Sequence, residues 1–422
     1  MIKRRIFLTG GNGMHEKREN REKRKTLWVK KRHARVFAFL RFAMGGFMRL
    51  KYHYRAEKAP VRKGPCLILH NHQATMDPFF VSKAFRFPIY FVCSDDLFNL
   101  KVSPLIRYLA APIPKSKSVS DLAAVKHTLR VLKEGGAVGI APEGNRTFSG
   151  REWEIFPEAI AKLVKVANVP VVLFNLCGGY GTDPRWGHSI RRGTKYVGRV
   201  RRILYPDDYK DLSVEELYAV IKEALNVVDA DSGERYKSRR RAEFIERVLY
   251  LCPVCNRIGT ISSKGTHFVC SHCGTKAEYT EQLTISPPVA GFSKIYEWYD
   301  WEREKLPEHL LAGETLRDEG VRFIDSVKLK RKIFLDGHAV AMDNDVLTVT
   351  GKTGTSSFPL ADIDAMAAVG KKKFNFYYHG KIYQIKGHKR FCGVKYVHAF
   401  NGLRTIKKAQ SANSISEEQQ PT

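Results

Sequence analysis

A histidine and an aspartate, His72 and Asp77, lie in the stretch Leu67-Ile68-Leu69-His70-Asn71-His72-Gln73-Ala74-Thr75-Met76-Asp77-Pro78. The apolar run Cys66 to Leu69 reads as a buried strand. Asp77-Pro78 reads as a helix start, with Asp as N-cap and Pro at the first helical position. The loop between them can fold back so that the carboxylate meets one imidazole nitrogen. The other nitrogen is then free to take a proton from a substrate hydroxyl, which makes a general base with its orienting carboxylate. A loop histidine near an aspartate that only caps a helix would have the same letters, so a second cluster is needed. Ala137-Val138-Gly139-Ile140-Ala141-Pro142 supplies it, as another buried strand delivering Glu143-Gly144-Asn145-Arg146-Thr147 at its end. Two strand-end polar clusters in an α/β sheet point to one site.

A separate set of residues carries metal chemistry. Cys252-Pro253-Val254-Cys255 and Cys270-Ser271-His272-Cys273 are two Cys-x2-Cys knuckles with fourteen residues between them, room for a β-hairpin. Four thiolates at that spacing suit a tetrahedral Zn2+ site of the zinc-ribbon kind. Such a site is closed, so the metal is structural. His272, inside a knuckle, is expected to face solvent or to support the ligands. Cys93 and Cys177 have no neighbouring His and read as buried small hydrophobes rather than nucleophiles.

The two strand-end blocks resemble those of the glycerophosphate and lysophosphatidate acyltransferase family, where Asn-His-x4-Asp precedes Pro-Glu-Gly-Thr-Arg. Asn71-His72 with Asp77 matches the first block. Pro142-Glu143-Gly144-Asn145-Arg146 matches the second, with Asn145 in place of Thr. Ala111-Pro112-Ile113-Pro114-Lys115-Ser116-Lys117 is similar to the family's Gly-x-Ile-Pro-x-x-Arg segment, with Lys117 where Arg is usual. Val169-Pro170-Val171-Val172 is similar to its Val-Pro-Val-Val strand. Phe91 to Phe98 resembles a segment often beginning Lys-Lys-Glu-Leu-Phe, with Ser94 and Asp95 where the lysines would stand. The resemblance spans about residues 36 to 228.

It implies transfer of a fatty acyl group from acyl-CoA or acyl-carrier protein to a glycerophospholipid precursor. The expected acceptor is 1-acylglycerol-3-phosphate, giving phosphatidate; another lysolipid acceptor stays open. No catalytic cofactor is implied, because a thioester gives up its thiolate readily. In this reading His72 takes the hydroxyl proton and Asp77 fixes its tautomer. Glu143 and Arg146 resemble family residues that bind the acceptor, Gly144 lets the backbone come close, and Lys117 with Lys115 adds charge. His70 is the rival base.

Bulk properties set the context. The chain has 422 residues, 43% hydrophobic and 27% charged, enough for two or three folded domains. With 72 Lys and Arg against 43 Asp and Glu, the net charge of +29 calls for an anionic partner: an anionic membrane surface, an acidic carrier protein or nucleic acid.

Along the chain, residues 1–35 read as a basic tail. No secretory leader is expected, because charged sequence follows the basic start. Val36 to Leu50 is aromatic-rich, too short to span a bilayer and interrupted by Arg41 and Arg49, so it reads as an interfacial helix. Residues 36–230 then form an α/β acyltransferase domain. Strands are expected at Cys66–Leu69, Ile89–Cys93, Ala137–Ala141 and Val171–Asn175, with a Ser213/Glu216 capping box opening the last helix. A basic linker helix is expected over 231–250, the zinc ribbon over 251–278, a small β-rich module over 285–406 and a disordered tail over 407–422. The β-rich module loosely resembles pleckstrin-like or GRAM-like domains, and its Lys371-Lys372-Lys373 run reads as a solvated charge cluster. The place expected for such a chain is the cytoplasmic face of a bacterial membrane.

Two other classes compete. His70-Asn71-His72 spells a nuclease motif, and a basic zinc-ribbon protein could bind nucleic acid; the histidines lack the spacing such nucleases need, which makes nucleic acid an unlikely partner. A non-catalytic membrane protein on the same scaffold would not need both His72 and Asp77.

Overall fold

The computed structural model describes residues 28–94, 97–98, 102–115, 122–151, 156–193, 195–327, 331–352 and 354–418, with backbone alone for 325–327, 331–337 and 412–418. The α/β part comprises α1 (Lys31–Tyr52), β1 (Tyr54–Ala56), β2 (Cys66–His70), α2 (Asp77–Ala84), β3 (Ile89–Ser94), α3 (Ser103–Ala110) and β4 (Ile113–Lys115). It continues with α4 (Leu122–Lys133), β5 (Ala137–Ile140), α5 (Ala159–Ala167), β6 (Val171–Cys177), β7 (Tyr196–Leu204) and α6 (Val214–Leu225). The sheet runs β1-β7-β6-β2-β5-β3-β4, parallel from β6 to β4 and reversed at β7.

Helices cover both faces, so the central strands are apolar without alternation. All five residues of β2 are buried. Leu67 and Leu69 pack with Val131, Ile160 and Leu217 on one side, while Cys66 and Ile68 pack with Met48, Phe80 and Val81 on the other. β2 and β5 are direct neighbours, Leu69 opposite Ile140, so the loops after them emerge together. The Ser213/Glu216 capping box forms with both of its hydrogen bonds.

Downstream, β8 (Ile261–Lys264), β9 (His267–Cys270), β10 (Lys276–Tyr279), β11 (Thr284–Val289) and β12 (Phe292–Lys294) make one antiparallel sheet. It extends past the expected end of the ribbon at 278. The Trp-rich stretch is α7 (Ile295–Leu311), with Trp298 buried and bonded to Leu251 O. Then come β13 (Leu316–Val327), β14 (Arg331–Met342), β15 (Val346–Gly351), β16 (Gly354–Pro359), β17 (Ile363–Val369), β18 (Lys373–Tyr378), β19 (Lys381–Lys386) and α8 (Val394–Glu418). These seven strands form an antiparallel sheet in the order β16-β15-β14-β13-β19-β18-β17.

Four expectations change. Residues 231–250 are not a linker helix: they hold short turns, with Ala242, Ile245, Val248, Leu249 and Tyr250 buried. A contiguous apolar run cannot leave a helix one polar face, and here it enters a core shared with Phe148 and Trp186 of the α/β domain and with Tyr396 and Phe400. The basic tail does not reach 35, because Trp28 donates to Ala111 O and α1 starts at Lys31; residues 1–27 lie outside the described residues. The tail at 407–422 is helical as far as Glu418, with Lys407 on Asn344 O and Asp345. Lys371 is not a solvated charge: its ammonium donates to Gly187 O, and burial lowers its pKa.

Candidate active site

β2 ends at His70, and six loop residues separate it from α2. Asp77 is the first helical residue and not the N-cap; Met76 takes that place without a side-chain bond. Its carboxylate turns back into the loop instead. Oδ2 accepts from His72 Nδ1 at 2.8 Å and from Gln73 N at 2.8 Å, and both oxygens accept from Ala74 N at 3.0 Å. The Tyr196 hydroxyl, brought by β7, donates to Oδ1 at 3.4 Å. Asp77 is fully buried, while the His72 side chain keeps 24% of its surface. A carboxylate can only accept, so the imidazole proton sits on Nδ1 and Nε2 presents its lone pair.

His70 is placed differently. It is buried, its Nδ1 meets Asn71 O at 2.9 Å, and burial pushes its pKa down to about 4. Cys93 is pushed up to about 12 and Cys177 upward, each by burial, so neither thiol is primed as a nucleophile.

The loop after β5 meets the His72 loop directly. Glu143 Oε1 accepts from His72 N at 2.9 Å, and Thr147 N donates to His72 O at 3.3 Å. Gly144 sits at φ +65°, a left-handed position that glycine takes at no steric cost. Arg146 spreads its guanidinium over Gln73 O, Thr75 Oγ1 and Asp183 O. Lys115 ends β4, opposite Ser94 of β3; Lys117 lies outside the described residues.

Sequence reasoning missed the residues that fix these loops. Asn71 bonds both ways to Leu176 of β6, and Gln73 Oε1 accepts from Gly179 N and Tyr180 N. Asp229, buried with its pKa raised to about 6, accepts from Gly178 N and Gly181 N. Asn145 donates to Ala368 O, and Arg185 bridges Arg146 O, Ala368 O and Gly370 O. Asn71, which opens the first block, and Asn145, the one departure inside the second, gave a signal; Gln73, Asp229 and Arg185 gave none.

The four knuckle cysteines converge with their sulfurs all within 4.8 Å. Cys252 Sγ lies 3.7 Å from Cys273 Sγ, and Cys255 Sγ lies 3.7 Å from Cys270 Sγ. A disulfide needs about 2.05 Å, whereas four thiolates about 2.3 Å from one Zn2+ stand about 3.8 Å apart. The donor set fits a structural metal.

Comparisons with known proteins agree with the first block of chemistry. The family described as Acyltransferase matches residues 51–174. A probable 1-acyl-sn-glycerol-3-phosphate acyltransferase of Mycoplasma genitalium is 23% identical over 42% of this chain and 69% of its own length. The 1-acyl-sn-glycerol-3-phosphate acyltransferase of Borreliella burgdorferi is 26% identical over 27% of this chain, which spans 47% of that protein. The crystal structure of the lysophosphatidate acyltransferase PlsC from Thermotoga maritima aligns with a TM-score of 0.37 at 20% identity, covering 46% of this chain and 76% of that one. Residues 51–174, which hold both strand-end loops, are thus an acyltransferase domain.

Proposed function

We propose that this domain transfers a fatty acyl chain from acyl-CoA or acyl-carrier protein to 1-acylglycerol-3-phosphate, giving phosphatidate. The observation that carries the reading is the 2.8 Å bond from His72 Nδ1 to a fully buried Asp77, which leaves Nε2 open at the sheet end. Nε2 takes the acceptor hydroxyl proton as that oxygen attacks the thioester carbonyl carbon. The tetrahedral intermediate collapses by breaking the carbon–sulfur bond, and the imidazolium returns its proton to the departing thiolate. Glu143, Gly144 and Arg146 form the acceptor side, Arg146 reaching it through the nitrogen that faces Thr75, and the family resemblance adds the charge of Lys117.

A membrane surface is the natural source of the acceptor. On α1, Phe39, Phe42 and Leu50 are 67%, 84% and 82% exposed, and at ~100° per residue they lie on one side of the helix. Leu105 and Tyr108 of the adjoining α3 are exposed as well. No helix among the described residues is long and apolar enough to cross a membrane, so the reading is a peripheral protein held by apolar side chains and net positive charge on an anionic bilayer, at the cytoplasmic face in a bacterium. Cys252, Cys255, Cys270 and Cys273 would hold a structural Zn2+, bracing the sheet from β8 to β12. The seven-stranded antiparallel sheet followed by α8 supports a pleckstrin-like reading of the C-terminal module.

The test is transfer of a labelled acyl chain to lysophosphatidate by the intact protein in vesicles, with each donor, beside His72→Ala. The variant should lose about 10²- to 10⁴-fold in turnover; equal activity in both proteins would sink the assignment. For the metal, elemental analysis should find zinc in a 1:1 ratio to chain, and chelation should lower the melting temperature. Protein that is folded and metal-free would reject the zinc reading.

A further inference from the structure

A cavity of about 670 Å³ opens where the loop after β5 meets the C-terminal module. That volume is within the range of small-molecule sites. Val92, Ile140 and Leu163 line it from the α/β side, and Ala365, Ala367 and Phe400 from the module side. Side chains alternate along β17. Met366 and Ala368 border the cavity but pack into the shared core, which leaves Ala365 and Ala367 on the opposite face of the strand. Both are alanines, so the strand leaves open the space that a Leu or Phe there would fill.

Most charges on the remaining wall are engaged within the protein, although Lys115 and Asp364 also line it. Arg151 and Arg303 pair with Asp300, Arg185 holds three carbonyls, and Arg404 donates to Asp364 O. What the cavity offers a ligand is chiefly apolar surface. Its lining includes Glu143, the same carboxylate that holds the His72 amide at 2.9 Å. An apolar chain lying in the cavity would therefore begin beside the base.

We infer that the C-terminal module is one wall of the substrate site: the cavity receives an acyl chain, and β17 and α8 set its length limit. This rests on the acyl-transfer reading, which gives a chain its reason to lie beside His72. Donor thioester and lysophosphatidate both carry such a chain, so the experiment treats them separately.

Full-length protein and Ala367→Phe would be assayed against a series of acyl-CoA chain lengths at fixed acceptor, then against a series of lysophosphatidates at fixed donor. The ratio of kcat/KM for the longest chain to that for the shortest should fall at least about tenfold in the variant, since each misplaced methylene in an apolar pocket is worth that much. The series in which it falls identifies the chain. Unchanged ratios in both series overturn the inference. Ala367→Leu, a smaller change, gives the same comparison should the Phe variant fail to fold by thermal melting. Binding of a fluorescent long-chain fatty acid separates this from failure of the reaction itself. A protein that transfers nothing, yet binds the probe and loses at least about tenfold in affinity with Ala367→Phe, keeps the cavity and loses the reaction. Equal probe affinity in both proteins removes the cavity.

Discussion

The two loops that meet at the candidate site are held by different means. The His72 loop is closed by its own neighbourhood: Asp77 takes the imidazole and two amides within a few residues. The Glu143–Thr147 loop is held from far along the chain, where Asn145 donates to Ala368 O and Arg185 ties Arg146 O to Ala368 and Gly370. The first also draws on Glu143, Leu176, Gly179 and Tyr180, all within the α/β domain. The second needs the C-terminal module folded against the domain. The candidate base is thus assembled within the α/β domain, while the surface beside it depends on a separate β-sheet.

Breaking the local closure should have the largest effect. Asp77→Asn removes the acceptor that holds the proton on Nδ1, and turnover should fall by about 10²- to 10⁴-fold at saturating substrate. Steady-state kinetics with a control for folding would check this; a variant within a few-fold of wild type would mean that the pair is structural.

Breaking the remote closure should act on stability first. Arg185→Met strips three carbonyls of a buried donor, at about 4 kcal/mol in all. Proteolysis should then free the C-terminal module from the α/β domain before either unfolds. If the two stay equally resistant, the contact is not what holds the module in place.

The smallest effect concerns His70, and its sign follows from its burial. The folded protein keeps His70 neutral down to about pH 4, whereas the unfolded chain takes up the proton near the ordinary value of 6.5. Stability from this group is complete above 6.5 and is lost as pH falls toward 4, a total of about 3 kcal/mol. Asp229 opposes it, because its carboxyl is raised from 3.8 to about 6 and favours the fold on acidification across that window. The difference in melting temperature between wild type and His70→Gln, followed from pH 7.5 to 4.5, cancels the Asp229 contribution. Parallel profiles would show that His70 is not the group that titrates.

Much of the α/β domain was legible because its signals are local. Strands buried on both faces leave apolar runs, as in residues 66–69 and 171–174, and a capping box announces a helix within four residues. β1, β4 and β7 were not foreseen. β1 and β4 have three residues each, and the nine-residue β7 is interrupted by Arg199 and the adjacent pair Arg201 and Arg202. Their strand character comes from pairing with neighbours already in place. The 231–250 stretch misled for a similar reason: a basic run next to an apolar one looks helical until another domain buries the apolar part.

The sequence alone determined the chemistry that fits within a few bonds of itself: His72 with Asp77, the glycine at Gly144 and the two cysteine knuckles, whose spacing dictates that their sulfurs can converge. Tertiary structure decided what surrounds that chemistry. It withdrew His70 into the core, turned Arg146 onto Gln73 and Asp183, seated Asn145 on Ala368 and opened a cavity between two sheets. The entropic cost of closing a loop grows with its length, and the loop that joins His72 to Asp77 is short. A contact across 223 residues exists only once both surfaces are built.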